Sequence, residues 1–298
     1  MGDGVGAGRI LLTGASGQVG GELLRVLGGV GEVVAPGRGG MNLADADSVR
    51  AAVRAVGPRW IVNAAAYTTV DKAESEPELA YAVNRDAVRV MGEEAQKIGA
   101  GVIHFSTDYV FDGAGTKAYV ETDATGPVSI YGASKLAGEL ALAESGAAHL
   151  IFRTSWVFGG TGKNFLLTIL KLAREREMLR VVGDQHGAPT WSRDLARLTA
   201  AVMGRLGVGD LKELGGVYHA AGGGETTWSG FAAEGIRILQ AKEPKTKLAK
   251  VEAITTAEYP TAARRPANSR LNCDKLGERL GWRTMDWRES LGEVMAEL

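Results

Sequence analysis

The sequence predicts an α/β fold, with a doubly wound parallel sheet and a smaller C-terminal lobe, on three observations. Short apolar runs alternate with amphipathic stretches through the first half of the chain, the rhythm of βα units. Three glycines, Gly14, Gly17 and Gly20, stand where the first apolar run gives way to the first amphipathic stretch. Further along, Tyr131-Gly132-Ala133-Ser134-Lys135 opens another amphipathic stretch, with its Tyr and Lys four residues apart.

The strands are expected at Arg9–Thr13, Glu32–Ala35, Trp60–Asn63, Val102–Ser106 and Leu150–Thr154, with a later one near Val217–Ala220. Each is short, rich in Val, Ile or Leu, and bounded by glycine, proline or polar residues. Helices are expected at Gly17–Leu27, Ala46–Val56, Pro77–Ile98, Ile130–Ala143, Asn164–Arg174, Arg193–Leu206 and Trp228–Leu239. Past Thr154 the rhythm loosens, and the segment from Lys242 to Arg270 reads as irregular because Pro244, Pro260 and Pro266 interrupt it. Residues 1–153 are therefore expected to form a dinucleotide-binding domain of the Rossmann type, which also receives parts of 193–220. Residues 154–298 would mainly build a discontinuous substrate lobe, with the substrate between the two.

The bulk composition narrows the function. The chain has 298 residues, 45% of them hydrophobic, and a formal charge of -1, so neither nucleic acid nor a membrane surface is expected as partner. Its single cysteine, Cys273, cannot close an internal disulfide, which fits a reducing compartment. His104, His149, His186 and His219 lack metal-ligand spacing, so no dedicated metal site is expected. Met1 to Gly8 reads as a short mobile tail without the pattern of a secretory signal, and the expected location is the cytoplasm.

In Thr13-Gly14-Ala15-Ser16-Gly17-Gln18-Val19-Gly20 the glycines permit a tight turn and close backbone approach to a pyrophosphate, which the following helix N-terminus would face. The spacing is GxxGxxG, a variant of the dinucleotide fingerprint. No acid ends the second strand to hold the ribose hydroxyls of NAD. Instead Arg38 is the candidate clamp for the 2′-phosphate of NADP, with Asn42 and Leu43 beside the adenine. The small residues Ala64, Ala65 and Ala66, then Tyr67, would let a ribose and nicotinamide lie against the backbone. Thr107, just past the fourth strand, could donate to a developing alkoxide. Tyr131 and Lys135 share a helix face, and an ammonium beside a phenol favours the phenolate. That pair makes an acid/base for carbonyl chemistry. Gly162-Lys163-Asn164 is not a P-loop, no GxSxG elbow occurs, and Asp71-Lys72-Ala73-Glu74 reads as a solvated or structural turn.

Together these residues resemble the extended short-chain dehydrogenase/reductases. Within them, Asn63 to Pro77, Ser106 to Phe111, Arg153 to Val157, Asp184 to Thr190 and Arg265 to Leu271 resemble the dTDP-4-dehydrorhamnose reductase family. The resemblance runs from Ile10 to the C-terminus and is loosest around Ala241–Val251. It implies NADPH-dependent reduction of the C4 ketone of a dTDP-linked 4-keto-6-deoxyhexose. Tyr131 would be the proton donor, Lys135 its partner and Thr107 the hydroxyl that orients the carbonyl. Gly14, Ser16, Gly17, Gln18 and Val19 would contact the cofactor phosphates. Thr68, Val70, Thr107, Asp108, Trp156, Asn164, Arg265, Asn268 and Ser269 would contact the sugar nucleotide; without the resemblance, Trp156 reads as a core residue. Members that accept NADH can carry an Asp where this chain has Gly37 then Arg38, which favours NADPH while leaving NADH possible. Some members dimerise through carboxylates that share Mg²⁺. Glu22 matches one such position, but Arg193 stands where another acid is expected, which argues against a metal-linked pair and leaves monomer or homodimer open. Two alternatives remain: a sugar-nucleotide epimerase or dehydratase on the same scaffold, and a non-catalytic NADP-binding subunit like that of methionine adenosyltransferase.

Overall fold

The computed structural model describes residues 8–298, so most of the glycine-rich start, residues 1–7, lies outside the described residues. Five parallel strands, β1 (Arg9–Thr13), β2 (Glu32–Val34), β3 (Trp60–Asn63), β4 (Gly101–Thr107) and β5 (Ala148–Thr154), are joined by a sixth at Gly216–His219. Their spatial order is Gly216–His219, β5, β4, β3, β1, β2. Between β1 and β3 the winding reverses, opening a crevice at the carboxyl ends of the strands.

β3 and β4 are buried along their whole lengths, as a sheet covered on both faces requires. One face packs Leu12, Leu23, Ile103 and Phe152 with Leu195 and Val202 of helix Ser192–Arg205; the other packs Leu11, Ile61, Val102 and Ile151 with Val49, Val88 and Met91. Helix α1 (Gln18–Leu27) lies beside helix Ser192–Arg205, so a late segment of the chain completes the layer on that face of the sheet. A separate core of Phe158, Leu170, Trp191, Phe231, Trp287 and Leu291 belongs to the C-terminal lobe. Among the described residues, no helix is long and apolar enough to cross a membrane.

Several elements depart from expectation. The stretch Pro77–Ile98 is continuous but changes type, from α at Pro77–Tyr81 to π at Ala82–Asp86 and back to α at Ala87–Ile98. Lys250–Ile254, expected to be irregular, is a strand paired in parallel with Met178–Val182. It is an edge strand with mostly exposed side chains, so no apolar run marks it. Helices Asp274–Leu280 and Trp287–Glu297 close the chain, the second burying Trp287, Leu291, Val294 and Met295.

Candidate active site

The turn from β1 into α1 is made almost entirely of backbone. Gly14 has φ of 71°, and a Cβ there would sit 2.7 Å from the Ala65 nitrogen. A Cβ on Gly20 would stand 1.9 Å from the Gly14 carbonyl oxygen, so helix and turn meet at a distance only glycine allows. The N-cap Gly17 offers no side-chain cap, which leaves the first N–H groups of α1 facing outward beside exposed Ser16. Val19, one residue into that first turn, packs partly buried against the sheet core. Gln18 bends toward the other lobe, accepting a 3.0 Å hydrogen bond from Asn164 Nδ2. Arg38 is exposed beyond β2 and makes no hydrogen bond or ion pair. Asn42 caps its own turn, its side chain accepting from the Ala44 N–H, and Leu43 packs on the core.

Around the end of β4 the side chains themselves are tied together. Ser129 caps helix Ile130–Glu144 by accepting from the Gly132 N–H, and Glu74 accepts from the Ile130 N–H. The capped helix presents Tyr131, Lys135 and Glu139 at four-residue intervals to the sheet. Tyr131 lies beside Thr107, whose hydroxyl donates to Asp108 Oδ1 at 3.0 Å and accepts from the Tyr109 N–H at 3.2 Å. Lys135, 1% exposed, reaches the Phe105 carbonyl at 2.6 Å and His104 Nε2 at 3.1 Å. Glu139 accepts from Ser106 and makes a buried ion pair with Arg153 at 2.7 Å.

This geometry corrects one expectation. Lys135 lies on the same helix face as Tyr131, but the strand holds its ammonium, and it makes no hydrogen bond to the phenol. Burial pushes the Tyr131 phenol above its ordinary value, with neighbouring Thr107 opposing, so at neutral pH the Tyr131 hydroxyl keeps its proton. Burial lowers Lys135 to about 8. Burial also raises Asp108 to about 6, held back by Ser269 and Thr107, while its Oδ2 finds no partner.

The residues expected to contact the sugar nucleotide come together unevenly. Arg265 forms a 2.6 Å ion pair with Asp71 and lies 3.4 Å from the Tyr109 hydroxyl, and the Tyr109 ring meets Tyr131 edge-on at 5.4 Å. Ser269 approaches Asp108, so Thr107, Asp108, Tyr131, Arg265 and Ser269 surround one end of the crevice. Asn268 is occupied instead with structure, donating to the Lys117 carbonyl at 2.7 Å and accepting from Arg270. Asn164 caps helix Phe165–Glu175 near Gln18, apart from that group. Thr68 is exposed, and Val70 opens the short helix that carries Asp71. Trp156, at φ 49°, is the one non-glycine described residue with positive φ, and it stacks on Trp228 at 3.7 Å. An aromatic side chain in that backbone region is strained, a feature that concentrates at functional sites.

Four residues of this region escaped the sequence analysis. Tyr109 and Trp228 pack on predicted site residues. Asn84, in the π segment, holds the Tyr67 N–H at 2.8 Å and donates to Ser134 at 3.0 Å. His104 binds Lys135, and the one signal for it was a polar residue interrupting the run Val102–Phe105. Tyr67 itself turns its hydroxyl to Glu76 at 2.5 Å, which raises its pKa to about 12. On the opposite side of α1, Arg193 bridges Glu22 at 2.9 Å and Glu297. Among the described residues, no group of three or more His, Cys, Asp or Glu side chains is arranged to hold a metal ion.

Comparison with known proteins covers the whole described chain. The RmlD substrate binding domain family matches residues 8–298. A dTDP-4-dehydrorhamnose reductase of Burkholderia thailandensis is 46% identical over 97% of this chain and 99% of its own. The dTDP-4-dehydrorhamnose reductase of Escherichia coli K12 is 45% identical, covering 97% of each chain. The crystal structure of a Bacillus anthracis dTDP-4-dehydrorhamnose reductase in complex with NADP superposes with a TM-score of 0.89 at 33% identity, over 98% of this chain and 100% of that one.

Proposed function

The chain belongs to the dTDP-4-dehydrorhamnose reductase family and is an oxidoreductase, and on that premise we propose that it uses NADPH to reduce the C4 ketone of dTDP-4-dehydro-6-deoxy-L-mannose to dTDP-L-rhamnose. The observation that carries the proposal is the meeting of Thr107 and Tyr131 at the carboxyl end of β4, with Lys135 one helix turn below them. NADPH supplies the hydride. The residues fit such a cofactor: the uncapped first turn of α1 suits a pyrophosphate, and unpaired Arg38 suits a 2′-phosphate. The relative solved with NADP supports the same choice.

In this mechanism Tyr131 donates to the carbonyl oxygen, and Thr107 turns its hydroxyl proton from Asp108 to the same oxygen. As charge develops there, Tyr131 transfers its proton, and Thr107 holds the oxygen in place. The raised Tyr131 pKa suits this direction, because an alkoxide is more basic than even a buried phenolate. Lys135 then provides the nearby positive charge that the new phenolate requires. Its charge is lost as pH rises through about 8, so kcat is expected to fall on that limb. Asp108 and Ser269 border the hexose, and Arg265 lies where it could exchange Asp71 for a substrate diphosphate.

The test is loss of NADPH absorbance with enzymatically generated dTDP-4-dehydrorhamnose, and identification of the product. Stoichiometric oxidation with formation of dTDP-L-rhamnose is expected. Binding of NADPH without oxidation would overturn the proposal and point to an epimerase or a regulatory subunit.

A further inference from the structure

Behind the acid and its lysine runs a chain of buried polar side chains that the mechanism above does not use. His104 is fully buried in the middle of β4. Its Nε2 lies 3.1 Å from Lys135 Nζ, and its Nδ1 lies 3.0 Å from the side-chain amide of Asn63 on the neighbouring strand. Asn63, 1% exposed, accepts in turn from the Thr13 hydroxyl at 2.6 Å, and Thr13 accepts from the Ala65 N–H at 3.3 Å. The chain therefore crosses β4, β3 and β1, from the helix that carries Tyr131 to the turn that begins at Gly14.

We propose that His104 is a positioning residue for Lys135: its neutral imidazole, held by Asn63 with Nε2 bare, accepts one N–H of the ammonium and fixes it beside the Phe105 carbonyl. Hydrogen-bond polarity makes this specific. A neutral imidazole has one donor and one acceptor nitrogen. A charged Lys135 has only donors, so Nε2 must accept and the ring proton must sit on Nδ1, donating to the Asn63 side-chain oxygen. Asn63 then gives its NH₂ to Thr13. The opposite polarity, with Asn63 donating to Nδ1 and accepting from Thr13, is the way the amide is turned here, and it requires a proton on Nε2 and an uncharged Lys135 amine. Exchanging the Asn63 oxygen and nitrogen alters no shape, so the charge on Lys135 decides between the two. Two of the three Lys135 donors are thus committed to β4, leaving one for the reacting site. Burial and the neighbouring Lys135 charge together keep His104 well below its ordinary pKa, so it stays uncharged. The other titratable groups around the pair are Tyr131 and Glu139 on the helix, and His149 and Arg153 on β5, with Glu139 already paired to Arg153.

This inference rests on the assignment of Lys135 to the reductase site, but its first test does not need turnover. ¹⁵N-detected imidazole spectra of the wild-type protein, with the His104 signal assigned from His104→Gln, report the tautomer directly. Proton on Nδ1 with bare Nε2 at pH 7 is expected; a proton on Nε2, or an imidazolium, would overturn the proposal. Kinetics supply the second test. His104→Leu removes the acceptor and is expected to lower kcat by roughly tenfold or more and to move the high-pH limb down by about one unit, with KM for NADPH nearly unchanged. His104→Gln restores an acceptor and should recover most of kcat and the wild-type limb. Equal impairment of both variants with an unmoved pH profile would reduce His104 to packing and contradict the proposal. Should His104→Leu fail to fold, the tautomer measurement still decides.

Discussion

Two regions of the crevice are built by opposite means. From Gly14 to Gly20, contacts are backbone on backbone: the Gly14 turn lies against Ala64–Ala65, and Gly20 against Gly14 itself, with no side chain capping α1. At the end of β4, almost every polar side chain is engaged: Thr107 with Asp108 and the Tyr109 N–H, Lys135 with His104, Glu139 with Ser106 and Arg153. The first region is shaped to receive groups it lacks, because its N–H groups face outward. The second is shaped to hold charge in a fixed place, because the partners are already in contact. A charge held in place as that of Lys135 is needs no rearrangement as charge develops nearby.

Substitution at the glycine turn should give the largest effect. Gly20→Ala drives a Cβ into the Gly14 carbonyl, and a loss of at least about 3 kcal/mol of stability, together with loss of NADPH binding, is expected. Gly21→Ala, whose Cβ would lie 3.6 Å from the Ala15 oxygen, serves as its pair and should be neutral or slightly stabilising. Thermal melts and fluorescence titration compare them; equal behaviour of the two variants would mean that the turn is not closed by backbone contact.

The side-chain region is sharpened by Asp108. Its folded pKa, about 6, lies above the ordinary value of 3.8, so its contribution to stability is full below pH 3.8 and is lost as pH rises through 6. Asp108→Asn keeps an acceptor for Thr107 and removes the buried charge. It should stabilise the protein by roughly 2–3 kcal/mol at pH 8 and leave stability unchanged near pH 4. Denaturant unfolding at the two pH values checks this, and a pH-independent difference would contradict it.

Arg38 gives a smaller effect on the other side. Arg38→Ala should raise KM for NADPH about tenfold and leave KM for NADH unchanged, since a charged hydrogen bond to phosphate contributes about 1.5–3 kcal/mol. Parallel initial-rate measurements with both cofactors decide it; an equal rise for both would remove Arg38 from 2′-phosphate binding.

The same contrast governs what could be read from the sequence. A region built of backbone announces itself, because only glycine permits the Gly14 conformation and the Gly20 approach, and the neighbouring strands are apolar runs. The four-residue spacing likewise placed Tyr131 and Lys135 on one helix face. It could not say which way a long flexible side chain would turn, and β4 captured the ammonium through His104 and the Phe105 carbonyl. Asn84 was hidden for a related reason: a π segment leaves the helical pattern of Pro77–Ile98 unbroken while changing which residue meets Tyr67. The Lys250–Ile254 edge strand buries only Ile254 fully, too little to mark it, and the prolines around it misled. Trp156 was found through a resemblance, yet its strained backbone and its stack on Trp228 exist only in three dimensions.

The most direct test of the central claim is a comparison of wild type with Tyr131→Phe, following NADPH oxidation with dTDP-4-dehydrorhamnose and NADPH affinity by fluorescence on the same preparations. Loss of turnover by at least roughly 10²-fold with unchanged NADPH affinity is expected, because only the proton is removed. Turnover close to wild type would contradict the role of Tyr131 as the acid.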